Sequence, residues 1–104
     1  MDPIAIFRGI CMQFPGVEEM PHFEKTSFRL KKKIFATLDQ KNLKATVKLS
    51  LKEQDLFCLI DKSKIYPVPN KWGKQGWTNV EINELEEEIL TDLLTTAFNQ
   101  LASK

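Results

Sequence analysis

A chain of 104 residues with 42% hydrophobic and 28% charged residues is sized and composed as one folded domain, residues 1–104. Its apolar runs are too short to cross a membrane. Met1-Asp2-Pro3 lacks the basic and apolar start of a secretory signal, so a cytoplasmic protein is expected. The net charge of +1 hides an uneven distribution: residues 22–52 carry nine lysines and arginines against two acids, and residues 53–104 carry five lysines against nine acids.

Asp2 followed by Pro3 is a helix start, with Asp as the cap and Pro at the first helical position. Ile4, Phe7, Ile10, Cys11 and Phe14 then keep helical spacing until Pro15-Gly16 ends it. Gly9 inside this helix costs about 1 kcal/mol against Ala, which suggests that another element packs closely there. Val17 to Phe23 reads as a connector, and Pro21 bars it from the middle of a sheet.

Strands are expected at Thr26–Leu30 and Lys33–Leu38, joined tightly through Lys31-Lys32. In the second of these, Ile34, Ala36 and Leu38 would share one face and Phe35 and Thr37 the other. After a polar break, Leu43, Ala45, Val47 and Leu49 point inward while Lys44, Thr46 and Lys48 point outward, the period-2 pattern of an antiparallel sheet with one solvated face. Ser50 and Glu53 form a capping box for a second helix, with Leu56, Phe57, Leu59 and Ile60 as its buried stripe. A loop over 61–76 follows, extended near Tyr66. Trp77–Ile82 is a further strand. Asn83, with Glu86 three residues on, opens a last helix in which Leu85, Ile89, Leu93, Ala97 and Leu101 step by four.

The order α-β-β-β-(β)-α-β-α, without βαβ alternation, predicts an α+β two-layer sandwich. The first and last helices would lie across one face of an antiparallel sheet.

Signals for chemistry are sparse. His22 is the only histidine, and no metal-ligand spacing is present, so neither a metal nor a cofactor is expected. Cys11 and Cys58 read as free thiols in a reducing compartment, with a disulfide or a metal pair as the alternatives. His22 and Ser27 could form a base and hydroxyl pair or line a ligand cleft. No evident orienting acid or oxyanion hole accompanies them, and a structural role for His22 is the plainer alternative. No catalytic motif is found, and a non-enzymatic protein is expected.

Two features point to binding. Lys71, Trp72, Lys74 and Trp77 interleave cations and aromatics around Gly73 and Gly76, a pattern suited to stacking on bases. The alternative is that the tryptophans pack a sheet edge or the loop itself. Arg29, Lys31 and Lys33 alternate, as do Lys44, Thr46 and Lys48, so a basic sheet face is expected to meet phosphate. Its alternative is a solubilising surface with lysines guarding an edge.

Several stretches together resemble the MmcQ/YjbR family across essentially the whole chain. They are Phe14-Pro15-Gly16-Val17-Glu18-Glu19, Pro21-His22-Phe23, Ser27-Phe28-Arg29, Lys33-Ile34-Phe35-Ala36, Lys48-Leu49-Ser50 and Trp72-Gly73-Lys74-Gln75-Gly76-Trp77-Thr78. The resemblance implies a bacterial protein with the CyaY (bacterial frataxin) fold, an antiparallel sheet with helices on one side. Members are commonly labelled DNA-binding, with sheet and loop edges acting as paired wings. Carried over, that implies Arg29, Lys33, Lys48, Trp72, Lys74 and Trp77 as contacts. Likeness of fold does not carry frataxin's iron chemistry with it.

The combined expectation is a small binding module for DNA, monomeric or weakly dimeric. A protein-interaction accessory, or a small-molecule or metal binder near His22, is the alternative.

Overall fold

Short polar breaks between apolar runs leave each strand little choice except to turn back beside its predecessor. The computed structural model describes residues 2–103; Met1 and Lys104 lie outside the described residues. Along the chain come α1 (Pro3–Gln13), β1 (Val17–His22), β2 (Lys25–Leu30), β3 (Lys33–Asp39), β4 (Lys44–Lys48), α2 (Leu51–Cys58), β5 (Ile65–Pro67), β6 (Trp77–Glu81) and α3 (Glu87–Ala102), with a 3-10 turn at Gly73–Gln75. Among the described residues the strands form one six-stranded sheet in the order β1-β2-β3-β4-β6-β5, antiparallel throughout. This is the expected α+β sandwich.

The helices α1 and α3 pack across one face of the sheet. Between them and the strands lies the core, with Phe7, Phe28, Phe35, Leu38, Val47, Val80, Leu93 and Leu94 fully buried. Phe14 stacks on Phe98 with ring centroids 4.7 Å apart, and both meet Phe35 edge-on at 6.3 and 6.0 Å. Burying each such ring stabilises the fold by about 1.5–3 kcal/mol. Asp2 caps α1 through Ile4 N, and the Ser50–Glu53 capping box of α2 is present in both directions.

Five details differ from the sequence reading. Val17–His22 is a strand, not a connector, but it lies on the sheet edge, where Pro21 does no harm. Phe35 joins Ala36 and Leu38 on the covered face, while Ile34 joins Thr37 on the other. The cause is a β-bulge: Phe28 pairs with Ala36 and Arg29 with Ile34, leaving Phe35 as an extra residue. In α2 the inward residues are Gln54, Phe57 and Cys58, and Leu56, Leu59 and Ile60 are exposed. Helix α2 sits at the β5 edge rather than across the sheet, so only a narrow stripe of it is covered. The last helix begins at Glu87 with Glu86 as its cap, later than Asn83 suggested. Gly9 is exposed, and a Cβ there would meet nothing within 4 Å; no element packs against it.

Candidate ligand-binding cleft

The sheet face turned away from α1 and α3 is built from short polar side chains. Ser27, Thr37, Thr46 and Asn79 are successive cross-strand partners on β2, β3, β4 and β6. A cleft of about 510 Å³ opens over the last three of these. Ile34, Thr37, Thr46 and Asn79 line its floor, His22 and Lys25 one side, and Val68, Trp72 and Trp77 the other.

The tryptophan side is held by backbone. A Cβ on Gly73 would fall 1.9 Å from the Val68 carbonyl oxygen, and one on Gly76 would fall 1.8 Å from that of Leu49. Gly76 also has φ +104°, a conformation that glycine adopts without strain. The two glycines thus serve the folding of the loop. Gln54, buried on α2, donates its side-chain amide to Gly73 O at 3.0 Å, Trp77 O at 3.1 Å and Thr78 Oγ1 at 3.1 Å. The Lys48 ammonium donates to the carbonyls of Gln75 and Leu49. The result presents Trp72 at the rim, 48% exposed, with the Lys71 ammonium 5.8 Å from its ring centroid. Trp77 is half-buried.

On the opposite side, the His22–Lys25 pair closes the β1–β2 hairpin. Its tip residue, Phe23, is 95% exposed with φ +59°, and its ring lies 4.9 Å from the imidazole of His22.

The sequence-selected residues divide into groups. His22, Trp72 and Trp77 meet at the cleft, as above. Ser27 does not line it: the side chain is fully buried, donates to Met20 O at 3.0 Å and accepts from Arg29 Nε at 2.9 Å. Its proton is directed to a backbone carbonyl, away from any role with His22. Arg29, Lys44 and Lys48 do lie on the open face, by register. Lys44 is 3.7 Å from Glu81, and Lys48 is engaged with the loop carbonyls. Lys71 and Lys74 are exposed on the loop.

Lys31 and Lys33 leave the expected row. Lys31 and Lys32, with φ +52° and +72°, form the two-residue turn between β2 and β3. Lys33 therefore pairs with Leu30 and falls on the helix side of the sheet. Glu18, Asp39 and Glu81 share the open face with its cations, so this surface is of mixed charge rather than a basic patch.

At the far end of the face, Tyr66 donates to Glu81, and this bond raises the phenol above its ordinary value. Lys44, beside Tyr66 and Glu81, is raised as well. Burial pushes both thiols up, Cys11 strongly, and both are free, with Cys11 fully buried. That keeps them protonated and poorly reactive. Among the described residues no three of His, Cys, Asp and Glu gather at one point, and no helix is long and apolar enough to cross a membrane.

Lys25, Ile34, Thr37, Thr46, Val68 and Asn79 escaped the sequence reading as site residues. Only the outward polar alternation of β4 hinted at Thr46, and Ile34 was assigned to the wrong face because a bulge leaves no mark in periodicity.

A six-stranded antiparallel sheet covered by helices on one side, with a cleft on the other, defines the class: a small α+β domain with one solvated sheet face. A family model for YjbR matches residues 12–100, and the chain belongs to the YjbR family. Among solved structures it is similar to the crystal structure of Deinococcus radiodurans protein DR2400, described as a DUF419 domain. The TM-score is 0.85 at 21% identity, covering 100% of this chain and 81% of that one. At that identity the likeness carries the fold alone. No curated protein matches the sequence.

Proposed function

We propose that this domain is a non-enzymatic binding module that takes a ligand with a flat unsaturated ring into the open-face cleft. The observation that carries this reading is Trp72, half exposed at the rim of a cleft with a polar floor. A half-exposed indole beside a cavity of small-molecule size offers a flat apolar surface on which a ring can stack. Free thiols suit a reducing, cytoplasmic setting.

A second reading, single-stranded DNA, draws support from Lys71 and Lys74 on the tryptophan loop and Lys25 across the cleft, all exposed. They could follow a phosphate backbone while a base stacks on Trp72.

Tryptophan fluorescence titration with nucleosides, single strands and duplexes across a salt series tests both readings. The expected result is quenching by ring-bearing probes that is lost in Trp72→Ala. Affinity for strands that falls steeply with salt would favour DNA. Quenching without a salt slope would leave the small-ligand reading alone, and no response to any probe would end both.

A further inference from the structure

We propose that the cleft selects a planar ring with an imide edge, the carbonyl–NH–carbonyl sequence found in uracil and thymine. This rests on the cleft being the ligand site and goes further by naming the chemical class it takes.

The argument comes from three side chains on the cleft floor. Thr37, Thr46 and Asn79 are direct cross-strand partners on β3, β4 and β6, so they stand in a row at the strand spacing of about 4.8 Å. Thr46 Oγ1 donates to Asn79 Oδ1 at 3.2 Å. That bond occupies the one hydroxyl proton of Thr46 and turns the Asn79 amide so that its NH2 is the group left open. Thr46 therefore faces the cleft as an acceptor and Asn79 as a donor. The Thr37 hydroxyl makes no side-chain hydrogen bond among the described residues and is free to turn as a donor or an acceptor. Read across the row, the floor offers a hydroxyl that can serve either way, then an acceptor, then a donor.

An imide edge offers the complement: acceptor, donor, acceptor. The cytosine edge presents donor, acceptor, acceptor: Thr37 can turn to accept from its amino group, but its central N3 sets an acceptor against Thr46. Adenine likewise sets its N1 acceptor against that of Thr46. Trp72, Trp77 and Ile34 supply apolar surface for the faces of the ring. A base whose edge conflicts with a half-buried polar row loses its water without regaining hydrogen bonds, which is how such rows discriminate.

The test uses the full chain and fluorescence titration with uridine, 3-methyluridine, cytidine and adenosine. Uridine is expected to bind at least about tenfold more tightly than the others, because methylation at N3 removes the central donor and cytidine and adenosine put an acceptor in its place. Asn79→Asp, which exchanges the donor for an acceptor, should lower uridine affinity about tenfold and abolish the preference over cytidine. An unchanged circular dichroism melt would show that this variant stays folded. Comparing free uridine with oligo(dT) and oligo(dC) distinguishes a free imide from one carried on a strand. Equal binding of all four nucleosides would overturn the imide selection while leaving the cleft as a ligand site. A preference for cytidine or adenosine would also overturn it. Silence toward every nucleoside and oligonucleotide would remove both the selection and the site.

Discussion

The two faces of the sheet use the same strands for opposite ends. On the covered side, Phe28, Ala36, Val47 and Thr78 form one cross-strand row, and Leu38, Ala45 and Val80 the next, all buried beneath the helices. On the open side the row between them is Ser27, Thr37, Thr46 and Asn79. Size and apolarity hold the first surface together. The second is kept short and polar, so that neither a helix nor the chain's own loops are drawn down onto it. Stability and recognition are thus separated by side-chain parity rather than by region of sequence.

That separation can be attacked directly. Phe35→Ala, on the covered side, empties the aromatic cluster with Phe14 and Phe98. It should cost about 3–5 kcal/mol in urea denaturation; a loss under about 1 kcal/mol would mean that this face does not carry the stability. Gln54→Ala acts where the two faces are coupled. It removes the amide that holds the carbonyls of Gly73 and Trp77 and the hydroxyl of Thr78. It should cost about 2 kcal/mol and shift tryptophan emission to the red as the loop loosens. An unshifted spectrum would show that the loop stands without α2. The smallest effect is a gain. Gly9→Ala fills an exposed helical position without a clash and should raise stability by about 1 kcal/mol, seen as a higher Tm with unaltered ligand titration.

Much of this architecture was legible because its signals are local. The Asp2-Pro3 start, the Ser50–Glu53 capping box, the alternation over 44–48 and the four-residue steps of α3 all sit within a few residues of sequence, and each formed. The site was legible only in part. Trp72 and Trp77 stand out by composition, and His22 by being alone. Thr37 and Asn79 are unremarkable residues that matter through registers set by other strands. The basic row was misjudged at one place: a two-residue turn at Lys31-Lys32 reverses the chain, so Lys33 cannot continue the alternation begun at Arg29. The apolar stripe of α2 was misjudged because period alone does not say which side of a short helix meets the protein. There, Gln54 is the inward residue and Leu59 is 70% exposed.

The bulge at Phe35 has a bearing on how such domains diverge. Upstream of it, every side chain of β3 is on the opposite side from where plain alternation would put it. Losing Phe35 would leave Arg29 opposite Ile34 and Phe28 opposite Ala36, so Ile34 would stay over the cleft while the core lost the ring that meets Phe14 and Phe98. A relative one residue shorter here would thus present the same pocket wall above a thinner core. In this strand the extra residue serves the core, and a gap in an alignment at Phe35 would mark a change in packing, with the ligand surface left as it is.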